Sequence, residues 1–102
     1  MRDLRIAAPA ARDLAALVDY IAKDNPAAAE ATYRGIVQTA RKLPQFPAMG
    51  RPGRHPNTRE ISVANLPYLI VYNVTPKAMT ILAIFHTSHD LGREIQVRLA
   101  RD

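Results

Sequence analysis

Tyr68-Leu69-Ile70-Val71-Tyr72-Asn73-Val74, followed after a short turn by Met79-Thr80-Ile81-Leu82-Ala83-Ile84-Phe85, decides the fold. Apolar side chains occupy consecutive positions in both runs, so each reads as a strand buried on its two faces. β-branched and aromatic residues dominate them, as a pleated surface favours. Thr75-Pro76-Lys77-Ala78 between them is a turn, with Pro76 suited to its second position. Upstream, Arg59 to Ala64 alternates, with Ile61 and Val63 on one face and Glu60 and Ser62 on the other. Asn65-Leu66-Pro67 turns that strand into the next. Turns this short make the three strands an antiparallel meander.

Two helices precede the meander. Leu14, Leu17, Val18 and Ile21 follow helical spacing, with Pro9 in the first turn and Asp13, Asp19 and Lys23 off the stripe. Asp24-Asn25-Pro26 then punctuates the chain. Asn25 is a good N-cap and Pro26 a good first residue for a second helix. Tyr33, Ile36, Val37 and Ala40 form its apolar stripe, and Pro44 stops it near Leu43. The short corner makes the two helices an antiparallel hairpin. Leu4-Arg5-Ile6-Ala7 is a short alternating first strand, and residues 90–101 form a short polar helix with Leu91, Ile95 and Leu99 on one side.

The predicted fold is therefore α+β, in the order β-α-α-β-β-β with a short C-terminal helix. The helix hairpin packs on one face of an antiparallel sheet. The other apolar face needs cover as well, from the C-terminal segment, a second subunit or a bound partner. A chain of 102 residues makes one domain, spanning 1–102. With 48% apolar residues it is not disordered, and with no cysteine it has neither disulfides nor thiolate metal sites. No apolar run approaches the ~20 residues that cross a bilayer, and the N-terminus lacks the apolar core of a signal peptide. The cytoplasm is the expected location, with no membrane partner.

Charge narrows the function. Fourteen Lys and Arg oppose nine Asp and Glu, for a net +5. No acid occurs between Glu30 and Glu60, a stretch that carries Arg34, Arg41, Lys42, Arg51, Arg54 and Arg59. Within it, residues 44–57 form a loop stiffened by Pro44, Pro47, Pro52 and Pro56. A stiff basic loop loses little entropy on contact, so Arg51, Arg54, His55 and Arg59 are the candidate binding residues. A basic surface of this kind suits a polyanion or an acidic protein. A solvated loop that only maintains solubility is the plainer alternative.

Five stretches, in order, resemble the RelE/ParE toxins of bacterial type II toxin–antitoxin pairs, and the ParE branch most. They are Asp24-Asn25-Pro26 at the helix corner, Phe46-Pro47-x-x-Gly50-Arg51-Pro52-Gly53-Arg54, Thr58-Arg59-Glu60-Ile61, Tyr68-x-Ile70-Val71-Tyr72-x-Val74, and Ile81-Leu82-x-Ile84-Phe85-His86. The resemblance covers residues 4 to about 90. It implies a toxin blocked by a cognate antitoxin whose C-terminal segment folds onto it, forming a hetero-oligomer and covering apolar surface. ParE-like members are associated with DNA gyrase. RelE-like members cut messenger RNA in the ribosome.

Metal-free RNA cleavage needs a base, an acid and cations to hold the phosphate. Glu60 or His55 is the candidate base, His86 the acid, and Arg51, Arg54 and Arg59 the clamp. For catalysis the expectation rests on Arg59 and His86. Against it, strand alternation puts Arg59 and Glu60 on opposite faces. The lysine-rich patch and C-terminal aromatic residue of RelE-like nucleases are also missing: no Lys lies between Lys42 and Lys77, and no aromatic follows Phe85. Plainer roles compete for each residue. Arg59 can pair with an acid or cap the sheet end, His86 can be a hydrogen-bonded structural residue, and Tyr68 and Tyr72 suit core packing better than base stacking. His86-x-x-His89 with Asp90 bunches three potential metal ligands in five residues, but no partner motif stands elsewhere in the chain, so neither metal nor cofactor is expected.

Overall fold

A computed structural model describes residues 2–100. Its elements are β1 (Asp3–Ile6), α1 (Ala8–Ala22), α2 (Pro26–Lys42), β2 (Arg51–Pro52), β3 (Arg59–Ser62), β4 (Tyr68–Val74), β5 (Ala78–His86) and α3 (Leu91–Leu99). β3, β4 and β5 form the antiparallel meander that the apolar runs demand. Asn65 opens the β3–β4 turn in the left-handed region, at φ 64°, which asparagine tolerates better than most residues. The Asn25 side chain caps α2 by accepting from Ala28 N–H at 3.0 Å, and Pro26 follows as its first residue.

The sheet departs from a plain antiparallel layer in two ways. It has five strands, in the order β1-β5-β4-β3-β2. β1 runs parallel to β5, with Leu4 beside Met79 and Ile6 beside Ile81, so the sheet is mixed. A four-residue alternating segment carries no signal of strand direction. That direction follows from how α1 and α2 return the chain across the sheet. The fifth strand, β2, lies inside the stretch read as loop, with Arg51 beside Glu60 and Pro52 beside Arg59. A proline there loses no ladder bond, because it lies on the outer edge. The two doubly apolar strands thus occupy the interior of the sheet, where burial on both faces is available.

α1 and α2 cover one face. Ala10, Ile36, Ala40 and Leu43 pack there with Tyr68, Ile70, Tyr72, Met79, Ile81 and Ile84. α3 covers the other, where Ile95 and Leu99 meet Leu69, Val71, Ala83 and Phe85. Of the three covers the sequence left open for this face, the chain's own C-terminal helix supplies it. An antitoxin is therefore not needed to complete it. A β-bulge also breaks the alternation of β5. Val71 pairs with Ala83 but Tyr72 with Ile81, so Leu82 is the extra residue and packs with Ala83 on the α3 side. His86 keeps the face of Ile84 but not that of Leu82, with which strict alternation along the strand would group it.

Asp13 joins three elements. β1 follows β5 only as far as Ile81, whose carbonyl accepts from Ala7 N–H at 2.9 Å. Beyond that point the Asp13 carboxylate takes over and accepts from Ile84 N–H at 3.0 Å. It also receives both terminal nitrogens of Arg98 from α3, at 2.8 and 2.9 Å. Hydrogen bonding to Asp13 raises the Arg98 pKa further, against the opposing effect of burial. The guanidinium also stacks over Phe85, 5.4 Å from the ring centre. The helical pattern marks Asp13 only as off the apolar stripe, because its partners lie 71 and 85 residues away.

Asp13→Ala removes the forked ion pair and leaves Ile84 N–H without its acceptor. It is expected to cost about 2 kcal/mol, read as a lower thermal midpoint, with stronger binding of a hydrophobic dye as α3 loosens. An unchanged midpoint would show that the clamp contributes nothing to stability.

Candidate functional site

The loop between α2 and β3 is built around two side chains from the sheet. Tyr72 is fully buried in β4 and directs its hydroxyl into the loop. That hydroxyl donates to Pro47 O at 2.8 Å and accepts from Gly50 N–H at 3.0 Å. Arg59, its cross-strand neighbour in β3, donates through Nη2 to Gly50 O at 2.5 Å and Ala48 O at 3.3 Å. The Arg59 Nε is buried with no partner. Only glycine fits at position 50, where a Cβ would lie 2.6 Å from both the Tyr72 hydroxyl and Glu60 O. The segment 46–50 is thereby held by its own carbonyls and amides, while Phe46 and Met49 remain exposed.

Glu60 organises the opposite face of β3, beside Val71. Its carboxylate is buried and accepts from Arg54 N–H at 2.8 Å and from Arg51 Nη2 at 3.2 Å. Arg54 Nε lies 3.6 Å away. A buried carboxylate is tolerable only when paired in this way. Arg51 and Arg54 stay largely exposed, so their unused nitrogens face solvent. His55 lies next to Arg54 in a shallow recess closed by Gly92, Ile95 and Gln96 of α3. Of the four candidate binding residues, Arg51, Arg54 and His55 therefore gather on the α3 side. Arg59 turns to the hairpin side and spends its guanidinium on the loop backbone.

His86 lies elsewhere. It pairs with Tyr68, whereas Arg59 pairs with Tyr72, which separates them by about 13 Å along β4 at the usual strand rise. His86 Nδ1 accepts from Ser88 N–H at 3.0 Å and lies 2.6 Å from the Ser88 hydroxyl, which places its ring proton on Nε2. The ring meets Tyr68 edge-on, with centres 5.2 Å apart. Burial pushes the Tyr68 phenol pKa up. His86 borders a cleft between α1 and α3 lined by Tyr20, Tyr68, His89, Glu94 and Arg98. Asp90 caps α3 by accepting from Arg93 N–H. Among the described residues no cluster of three His, Cys, Asp or Glu is placed to hold a metal ion. Nor is any helix among them long and apolar enough to cross a membrane.

An apolar groove beside β1 was not legible in the sequence. Leu4 is 40% exposed, Ile6 47% and Tyr33 49%. With Ile36, Val37 and Ala40 they line a depression of about 350 Å³. Tyr33 matches the helical stripe of α2, so periodicity assigns it to the core. The signal that separates it is the brevity of β1, which leaves too little sheet to cover that face of the helix.

Residues 4–91 match the family model for the ParE toxin of the type II toxin–antitoxin system parDE. The chain is 40% identical over 67 residues to Y4kP of Sinorhizobium fredii, a provisionally assigned toxin, covering 66% of this chain and 69% of that one. It also superposes on a solved structure of the chromosomal ParDE toxin–antitoxin system from P. aeruginosa. The TM-score is 0.78 at 28% identity, over 84% of this chain and 96% of the other. With the helix hairpin, the mixed five-stranded sheet and the short C-terminal helix, these matches make the chain a member of the ParE toxin family of type II toxin–antitoxin systems.

Proposed function

We propose that this ParE-family toxin arrests growth by gripping DNA gyrase and performs no bond chemistry of its own. The observation that carries this reading is the dispersal of the groups an RNA-cleaving site requires. Arg59 is committed to Gly50 O and Ala48 O, Glu60 is sealed behind Arg51 and Arg54, and His86 lies at the far end of β4. A base, an acid and a phosphate clamp must converge within hydrogen-bond reach of one phosphate. Gyrase is the target associated with the ParE branch, and the family match falls in that branch.

A cognate antitoxin neutralises the toxin by occupying the groove beside β1. Two features support that seat. The groove is apolar, and among the described residues no strand lies beside the outer edge of β1, which leaves that edge open to an extended segment. The excess of basic residues favours an acidic antitoxin segment and speeds its encounter.

In a supercoiling assay with purified gyrase and relaxed plasmid, excess toxin is expected to stop the reaction. Full supercoiling in its presence would remove gyrase as the target. His86→Ala is expected to leave growth arrest intact. Should it abolish arrest while the melting temperature holds, the ribosome-dependent endoribonuclease reading gains. Tyr33→Ala is expected to weaken antitoxin binding by about tenfold, measured by calorimetry, without reducing toxicity. Wild-type affinity would take the groove out of the antitoxin interface.

A further inference from the structure

Phe46, Pro47, Ala48 and Met49 form an apolar knuckle between α2 and β2. Phe46 is 54% exposed and Met49 43%. Exposed apolar residues are ordinary when scattered and mobile. Here they are adjacent, and the backbone beneath them is fixed. Phe46 N–H donates to Lys42 O and Met49 N–H to Phe46 O, each at 3.0 Å. Pro47 O and Gly50 N–H are held by the Tyr72 hydroxyl, and Ala48 O and Gly50 O by Arg59. A buried tyrosine and a partly buried arginine thus spend their polar atoms on keeping two apolar side chains in solvent. That arrangement costs stability unless another molecule covers it. It also removes most of the ordering entropy such a cover has to overcome.

The surroundings identify the cover. Arg41 and Lys42 flank the knuckle on the α2 side and are exposed, and no acid occurs from residue 31 to residue 59. A molecule covering the knuckle would meet these cations best with an acidic rim. A nucleic acid would need guanidinium donors beside the apolar tip, aimed outward at phosphates. Of the guanidiniums around the tip, Arg41 is exposed, but Arg59 is turned into the loop and Arg51 leans on Glu60 on the other face of β3. Phe and Met side by side instead have the composition of a protein anchor.

We propose that this knuckle grips the toxin's target, a protein offering an apolar recess with an acidic rim. The proposal rests on the toxin reading above and names the surface that reading requires. The knuckle and the groove beside β1 share no residue, so loss of target binding and loss of antitoxin binding are separable.

The test is induced expression of full-length variants, with survival counted against thermal midpoint. The double variant Phe46→Ser/Met49→Ser is expected to melt as the wild type does and to lose about 100-fold in killing. Ala48→Glu, which sets a negative charge against the acidic rim, is expected to kill less than Ala48→Lys. A folded double variant that kills like the wild type overturns the proposal, and equal damage from the Glu and Lys variants overturns the acidic rim. Labelled duplex DNA and single-stranded RNA serve as probes at physiological salt. Binding to either that disappears with the double variant overturns assignment to a protein. A concentration-dependent dimer on gel filtration that the double variant abolishes assigns the surface to a second copy and also overturns it. A wild-type chain that does not arrest growth defeats the toxin reading and this one with it, whereas a lethal, folded double variant defeats this one alone.

Discussion

β4 and β5 carry apolar side chains on both faces, and everything else in the molecule is arranged to keep water from them. No single layer of helix can do that. One side takes the α1–α2 hairpin, and the other takes α3. The flanks take β1 and β3, which gives the two strands central positions in a five-stranded sheet. The bulge at Leu82 adjusts this scheme locally by adding a second consecutive side chain to the smaller, α3-side cluster. Burial of this kind is the main favourable term in folding, and here it fixes the topology as well.

The polar residues that look functional in the sequence are mostly occupied in serving this frame. Arg59 and Tyr72, adjacent across two strands, tie down the loop after α2 on one side of the sheet. Glu60, one residue along, gathers Arg51 and Arg54 on the other. Alternation along β3 is what divides the work. A strand passes two unlike instructions to its two faces, so the loop above it is clamped from both. What this loop leaves exposed is the outer half of Arg51 and Arg54 and the two apolar side chains at its tip.

Much of this was legible in the sequence, and the failures have physical causes. The meander followed from two-sided hydrophobicity, the α2 cap from Asn25-Pro26, and the separation of Arg59 from Glu60 from strand alternation. The direction of β1 was not legible, because parallel pairing is decided by the path of the intervening helices. The strand at Arg51–Pro52 was hidden by its proline and by its length of two residues. Asp13 looked like one more solvent-facing carboxylate, since nothing local records that Ile84 N–H and Arg98 come to meet it. The exposure of Tyr33 was hidden for a related reason. Apolar periodicity tells which side chains share a face, and only the extent of the neighbouring sheet tells whether that face is covered.

The two borders of the sheet are unlike. At one, β2 is only two residues long and ends in Pro52, which has no N–H to offer a newcomer. At the other, β1 pairs with β5 on its inner side, and among the described residues no strand lies along its outer side, which has apolar flanks. Growth of the sheet is therefore vectorial: a strand can be added at one margin and refused at the other. Filaments built by repeated edge-to-edge addition need two receptive margins on every unit. Among the described residues this geometry leaves one margin of the sheet, at β1, open to a further strand.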